Sequence, residues 1–377
     1  MKRALTFCCA DESLMDDAGE LLDATPMSGM VRVKTRRPQG LLASLRSEGR
    51  ARDVIVACTV DGGEVVGVGV RSEKDCFVDG RPEPVRLGFL HGLRGKEQYR
   101  RGLALARGYR FFRDVHRQRD AHYYLTAILG DNRPAMEILT SGRAGLPVYD
   151  EWGGIETFFL DPRRVGRRLG AGAKPGVRIA GMRMEDAGAV VEFLRMHGRR
   201  RQFFPVYETH DFLTDEGLLP GLGTADILLA WEDRRLIGCV GVWDQSRFKF
   251  WEVAGYGFPL RPFRRAYNVW SRLRGRPTWP EPGAHVSLRS LAVFCVREDD
   301  ARVTRSLLGA AARLAATRGA VVLSWSLHER DSLVRLVKEL PHVLVKSRLF
   351  LVHWSEDGKP AFFPEQNLVP YLESGGL

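Results

Sequence analysis

The hydrophobic pattern of the first half predicts alternating strands and helices. Two β-branched runs joined by Asp61-Gly62-Gly63 predict a hairpin. After it, apolar residues return at helical spacing and then in further short apolar runs. In order, the predicted elements are helices over 11–22 and 40–47, strands over 53–60, 64–70 and 85–93, a helix over 103–117, a strand over 122–129, a helix over 133–140 and a strand over 155–160.

The second half repeats this order of elements. The predicted elements there are a strand over 177–182, a helix over 184–196, a hairpin of 226–231 and 236–243, a strand over 285–296, a helix over 302–318, a strand over 320–327, a helix over 333–340 and a strand over 344–354, which should close its sheet. Because the order of elements recurs, we infer an internal duplication.

The segment between the halves is rich in glycine and arginine and has no apolar periodicity, which is typical of a linker. A chain of 377 residues also exceeds the usual size of one core. We therefore predict a first domain over 1–162, a linker over 163–176 and a second domain over 177–377.

One stretch of the second half, 248–282, has no counterpart in the first. It is rich in aromatic residues and arginines. We expect an inserted helix packed on the sheet. A lipid-facing surface and a lid over a substrate cleft are the alternatives.

Composition narrows the class of protein. The net charge is +11, but the arginines are scattered, so a solvated surface is expected and a nucleic-acid partner is not favoured. The six cysteines include no CxxC pair and are expected to be reduced, with no metal site. No apolar run reaches membrane-spanning length and no secretory signal is recognised, so we expect a cytoplasmic protein whose oligomeric state stays open.

The most informative motif joins the strand over 85–93 to the helix over 103–117 through a loop rich in glycine and arginine. Backbone N–H groups and the positive end of the helix dipole meet there, which suits a diphosphate. Gly102 allows close approach of the backbone, and the small Ala104 leaves room. The basic residues around this turn are Lys96, Arg100, Arg101 and Arg107.

The loop at 99–104, YRRGLA, resembles the pyrophosphate loop of the Gcn5-related N-acetyltransferase (GNAT) superfamily, Gln/Arg-x-x-Gly-x-Gly/Ala. Tyr99 stands where that family has Gln or Arg. Downstream, Asn132 and Ala135 match the Asn-x-x-Ala start of the family's next helix. The resemblance covers most of the first half, and the second half only by element order.

The resemblance implies an α/β (α+β) fold of two tandem acyl-CoA N-acyltransferase units. Each would have a mixed, mostly antiparallel sheet flanked by helices and splayed open near its middle. Coenzyme A would lie in the gap of the first unit, and an N–H near Gly92 or Leu93 would stabilise the oxyanion. The implied coenzyme A contacts are Gly92, Leu93, Arg100, Arg101, Gly102, Leu103, Ala104 and Asn132.

Catalytic groups are harder to assign. His91, near the end of the strand that would face the acyl group, is the preferred general base, and packing or capping is its alternative role. Leu139 stands where the family commonly has a tyrosine that acts as the acid toward the leaving thiolate. Either another group serves, with Tyr149 and Tyr124 as the substitutes, or no acid is needed, since the thiolate is already a tolerable leaving group. The weaker candidates for the base are Glu97 and Glu151.

In the second half, the corresponding loop over 297–305 has three consecutive acids and no glycine, which would repel a diphosphate. We expect that half not to bind coenzyme A. The function expected is transfer of an acetyl or other acyl group from coenzyme A (acetyl-CoA as donor) to a small-molecule or peptide amine. The alternatives are a non-catalytic acyl-CoA-binding or sensing protein, and a nucleic-acid or membrane-surface role of the insertion.

Overall fold

Strands from both halves of the chain hydrogen-bond into one continuous sheet. The computed structural model describes residues 4–24, 26, 31–99, 103–143, 145–170, 176–258, 260–274, 278–360 and 368–376. Within these ranges thirteen strands form a mixed, mostly antiparallel sheet flanked by helices, which is the kind of sheet that the resemblance implied for each half.

The first half supplies six of the sheet strands and most of one helical layer. Its elements are β1 (Leu5–Cys9), α1 (Glu12–Ala24), β2 (Val31–Arg36), α2 (Gly40–Ser44), β3 (Ala51–Thr59), β4 (Val65–Phe77), β5 (Val85–Gly95), α3 (Ala104–His116), β6 (Tyr124–Leu129), α4 (Arg133–Leu139), β7 (Val148–Leu160) and α5 (Pro162–Leu169). Two of these strands, β1 and β2, were not predicted. β1 is short, whereas β2 alternates Val-Arg-Val-Lys-Thr-Arg between turn residues at 28–29 and 38–40, a strand signal that the sequence analysis missed.

The second half follows with the same core order and the insertion. Its elements are β8 (Val177–Gly181), α6 (Ala187–Gly198), β9 (Phe204–Pro205), α7 (Thr209–Leu213), β10 (Ile227–Glu232), β11 (Arg235–Trp243), β12 (Phe250–Tyr256), α8 (Leu260–Leu273), β13 (His285–Val286), β14 (Leu288–Val296), α9 (Ala301–Thr317), β15 (Val322–His328), α10 (Leu333–Lys338) and β16 (His342–His353).

The last strand of each half crosses into the other half. The sheet order is β1-β3-β4-β5-β6-β16-β7-β15-β14-β11-β10-β8. Thus β16 pairs with β6, and β7 pairs with β15. The expectation that the strand over 344–354 closes the sheet of the second half was therefore wrong. β7 and β16 are long and pair with each other along most of their length, so each reaches the sheet of the opposite half.

The predicted linker begins as a helix. α5 starts with the side chain of Asp161 accepting hydrogen bonds from the N–H groups of Arg163 and Arg164. Its Val165 is fully buried in the core beneath α9. Residues 171–175 lie outside the described ranges. The division into domains stays a prediction, because the sheet runs through both halves.

The insertion connects the halves instead of lying on one of them. It contains the expected helix, α8, and also the strand β12, which pairs with β2 of the first half and with β13. Arg36 on β2 and Glu252 on β12 form a bidentate ion pair across this small sheet, at 2.8 and 3.1 Å.

Candidate functional site

Two neighbouring strands of the first half separate partway along their length. β5 and β6 are parallel and have paired residues only at Gly88–Tyr124 and Phe89–Leu125. Beyond these pairs β5 continues to Gly95 and β6 to Leu129 without pairing to each other. Gly88 allows the close approach at the vertex, since a Cβ there would overlap the Tyr124 ring. The result is a wedge open toward the N-terminus of α3.

β5 carries a bulge next to the wedge. Val70 pairs with His91 while Val68 pairs with Arg94, so β5 has one more residue than β4 over this stretch. Within it Gly92 has φ of +65°, a conformation that favours glycine. A bulge leaves its extra residue out of the ladder and is common beside active sites. Gly92 and Leu93, both implied contacts of coenzyme A, lie at this bulge.

The N-terminus of α3 offers N–H groups that no acidic side chain caps among the residues that the structure describes. It begins after Leu103, whose aliphatic side chain accepts no hydrogen bond, and residues 104–107 contain no acid. Leu103 is 75% exposed and Ala104 is half-buried. The other predicted residues of this loop, Arg100, Arg101 and Gly102, lie outside the described residues.

The remaining predicted contacts near this loop have partners within the protein. Lys96 pairs with Glu64 at 2.5 Å, and Arg107 donates to the Leu5 carbonyl at 2.8 Å. Asn132 caps α4, where its side chain accepts from the Ala135 N–H at 3.4 Å. Helix capping alone explains the Asn-x-x-Ala spacing. A contact between Asn132 and coenzyme A stays a prediction.

His91 is held by a carboxylate that the sequence did not reveal. Its Nε2 lies 2.5 Å from Oε2 of Glu48, which is buried at 8% exposure. Lys249 of the second half lies 3.6 Å from the other oxygen of Glu48. Burial alone would raise the pKa of Glu48, but the charge and close contact of His91, with Lys249 nearby, lower it to about 2. Glu48 is therefore an anion at neutral pH.

The two tyrosines considered as acids are both packed in the protein. The hydroxyl groups of Tyr149 and Tyr109 form a hydrogen bond, with 2.6 Å between their oxygens. Burial raises the pKa of Tyr149 well above its ordinary value. Tyr124 is fully buried, and its hydroxyl forms a hydrogen bond of 2.8 Å with Nδ1 of His116. A raised pKa makes proton transfer to a thiolate less favourable, which counts against Tyr149. Its role as the acid stays a prediction.

The two weaker candidates for the base differ in their surroundings. Glu151 pairs with Arg348 at 2.8 Å where both side chains are about half exposed. Glu97 lies in the exposed turn that follows β5. His91 is therefore the candidate whose position is fixed by a buried partner.

The second half has the same wedge and the same bulge. β14 and β15 are parallel and pair from Leu288–Val322 to Ser290–Ser324. The bulge of β14 contains Val293, with φ of +46°. This residue occupies the place that Gly92 has in β5.

A segment of the chain near its C-terminus fills the wedge of the second half. A carboxylate oxygen of Glu373 accepts from the Val293 N–H at 2.9 Å, on β14. The Ser374 hydroxyl accepts from the Ser326 N–H at 2.8 Å, on β15. Residues 371–375 thus bridge the two strands where they separate. A cavity of about 420 Å³ remains beside this segment.

One carboxylate oxygen of Glu373 accepts three hydrogen bonds from protein groups. Besides the bulge N–H, it accepts hydrogen bonds from the hydroxyls of Tyr207 at 2.8 Å and Tyr371 at 2.9 Å. Its burial is the main cause that raises the pKa of Glu373 above the ordinary value.

The N-terminus of the helix that follows β14 is also unavailable to an anion, because a carboxylate already caps it. Asp300 caps α9 by accepting from the N–H groups of Arg302 and Val303 at 2.8 and 3.1 Å. A carboxylate therefore already lies where α3 of the first half has none.

In overall fold the chain is similar to solved acyltransferase structures. One is the GCN5-related glucosamine N-acetyltransferase region of a fungal multi-domain GH3 β-N-acetylglucosaminidase (TM-score 0.61, 12% identity, 93% of this chain and 38% of that chain). Another is Saccharomyces cerevisiae N-myristoyltransferase with bound myristoyl-CoA (TM-score 0.56, 12% identity, 93% and 83%). A third is a GCN5-related N-acetyltransferase from Anabaena variabilis (TM-score 0.52, 9% identity, 92% and 72%).

These likenesses identify the fold, which is that of the GCN5-related N-acetyltransferases, as the sequence resemblance implied. The chain spans little more than a third of the first of these proteins. In sequence, it matches no protein-family model and no curated protein. No described helix is long and apolar enough to cross a membrane.

Proposed function

We propose that the protein transfers an acyl group from acyl-coenzyme A to an amine, with the coenzyme bound in the wedge between β5 and β6. The observation that carries the proposal is the separation of these strands beyond Phe89 and Leu125, beside the open N-terminus of α3. The pantetheine arm would lie along β5. The diphosphate would meet the first N–H groups of α3 and its dipole.

The bulge of β5 would stabilise the transition state. Backbone N–H groups at Gly92 and Leu93 are the candidates for donors to the thioester oxygen as it becomes an oxyanion, a contribution often worth several kcal/mol. The amine nitrogen attacks the carbonyl carbon, a C–N bond forms, the C–S bond breaks, and coenzyme A leaves as the thiolate.

His91 would accept the proton that the attacking amine loses. Glu48 is a positioning residue, because its carboxylate contacts Nε2 of His91 and fixes the orientation of the ring. The opposite ring nitrogen, Nδ1, would then face the amine. An acid is not essential, since a thiolate with a pKa of about 8–9 is a tolerable leaving group.

The second half would not bind coenzyme A in this proposal. Its wedge holds Glu373 and Ser374, and α9 is capped by Asp300. Bound ligand would have to displace a segment that is hydrogen-bonded to both strands. The acyl group that we propose is acetyl, and the acceptor is a small-molecule or peptide amine.

Calorimetry with acetyl-CoA and thiol release with a panel of amines test the proposal. The wild type should bind one acetyl-CoA per chain and release thiol with at least one amine. His91→Gln should leave the affinity unchanged and lower kcat by about 100-fold or more. Failure of the intact chain to bind acetyl-CoA at millimolar concentration would refute the proposal. Binding without thiol release for every amine would instead favour the non-catalytic alternative.

A further inference from the structure

Helix α8 of the insertion turns several apolar side chains toward solvent, and the side chains that it buries against the protein are polar. Asn268 and Ser271 are buried, and the Asn268 amide exchanges two hydrogen bonds with the backbone of Trp279, at 2.8 and 2.9 Å. By contrast, Phe263 and Leu273 are 57% and 83% exposed. Because the polar face anchors the helix, its apolar face is left at the surface.

The exposed apolar residues form one stripe. Positions 262, 266, 269 and 273 of α8 are spaced by four, three and four residues, so they lie on one face of the helix. They are Pro, Ala, Val and Leu, and Phe263 borders them. Phe258, which shortly precedes the helix, is 87% exposed. Contiguous apolar surface of this kind marks an interaction site.

The flanks of the stripe carry charge of one sign. Residues 260–274 contain five arginines and no acid. Arg261, Arg265 and Arg272 are exposed along one flank, at spacings of four and seven residues. Arg274 follows on the other side, with its guanidinium 4.9 Å from the centre of the Trp270 ring. The partner of this face must therefore be both apolar and anionic.

We propose that α8 docks the protein on an anionic phospholipid surface, with the helix lying in the plane of the interface. Aliphatic and aromatic side chains would enter the boundary between headgroups and acyl chains, and the arginines would pair with phosphates. A second copy of this face is a poor partner, since it would bring the four exposed arginines of one copy against those of the other. Nucleobases are a poorer match for Val269 and Leu273 than acyl chains are. The proposal is independent of acyl transfer.

Flotation of the full chain with vesicles tests the proposal. The vesicles would be neutral phosphatidylcholine, or an equal mixture of phosphatidylcholine and phosphatidylglycerol. The wild type should bind the anionic vesicles at low salt and be released as salt rises. Phe263→Ser/Leu273→Ser should weaken binding at least tenfold. Arg261→Gln/Arg265→Gln/Arg272→Gln should weaken it by about 100-fold, since each basic residue near such a surface contributes about 1 kcal/mol.

A matched control separates the helix from general surface hydrophobicity. Met184→Ser/Val343→Ser removes two apolar side chains that are 69% and 66% exposed elsewhere in the protein, and should leave vesicle binding unchanged. Melting temperature and acetyl-CoA affinity should be unchanged in all variants. Vesicle binding that the α8 variants do not weaken would overturn the proposal. So would binding to a single-stranded oligonucleotide that depends on Phe263 and Leu273, without binding to vesicles.

Discussion

Replacing Glu48 by Gln should destabilise the protein at neutral pH and much less at acidic pH. The substitution keeps the size of the side chain and removes its charge. His91 and Lys249 would then face a neutral amide in a buried setting. The carboxylate comes from the segment after α2, His91 from β5 and Lys249 from the insertion. The ion cluster therefore joins three separate parts of the fold.

The magnitude follows from the pKa of Glu48, which falls from an ordinary 4.5 to about 2 in the folded protein. A lowered pKa stabilises the folded state above the unfolded pKa, and this stability is lost as the pH falls through the folded pKa. At about 1.4 kcal/mol for each pH unit, the contribution is about 3 kcal/mol at pH 7 and about 1 kcal/mol near pH 3.

Urea unfolding of the wild type and Glu48→Gln at these two pH values measures the difference. We expect the loss in free energy of unfolding to shrink by about 2 kcal/mol at the lower pH. Glu339→Gln is the control, because it breaks an ion pair with Arg305 in which both side chains are about half exposed, and should change stability by less than about 1 kcal/mol. A Glu48 effect near zero at pH 7, or one that does not depend on pH, would refute the reasoning.

Four further predictions concern the two wedges. Ala104→Glu places an anion at the first turn of α3, so it should raise stability by about 0.5 kcal/mol by thermal unfolding while weakening acetyl-CoA binding at least tenfold by calorimetry. Gly88→Ala should destabilise the fold by about 3 kcal/mol in urea, because the added Cβ overlaps the Tyr124 ring. Glu373→Gln should be at least as stable as the wild type at pH 7. The raised pKa of Glu373 means that the folded protein favours the neutral form of this side chain, and glutamine is neutral at every pH. Glu373→Ala should lose about 2 kcal/mol, because the Val293 N–H is left without its acceptor.

The local elements of the first wedge were predictable from sequence because their signals are local. The apolar run of β5, the helical spacing of α3 and the cap of α4 each lie within a few residues. His91 could be proposed as the base because the predicted strand over 85–93 alone places it near the proposed acyl group. Glu48 could not, since it lies in a short turn without a motif and 43 residues separate it from His91. Only the tertiary fold, which packs the turn over 45–48 against β4 beside β5, brings the two together.

Strand partners were less predictable than the strands themselves. The pattern over 155–160 predicts a buried strand, but hydrophobicity does not say which neighbour it hydrogen-bonds. The crossing of β7 and β16 depends on contacts more than 150 residues apart in the chain. The side to which α8 turns its apolar face likewise depends on tertiary contacts. Its periodicity indicates an apolar face, while the hydrogen bonds between Asn268 and Trp279 decide that this face points outward.

The comparison of the two wedges shows how a pair of separated strands can keep its shape when the protein itself fills the gap. Splayed strands expose backbone groups that the sheet does not satisfy, and buried groups of this kind are costly when left without partners. In the first half, a bound ligand would satisfy them. In the second half Glu373, Ser374 and Asp300 supply acceptors for the bulge, for β15 and for α9. Removing Asp300 alone would therefore not open the second wedge to a ligand, because Glu373 and Ser374 would still bridge β14 and β15. Opening that wedge requires displacement of the segment, and the groups it satisfies would then need a ligand of similar shape and charge.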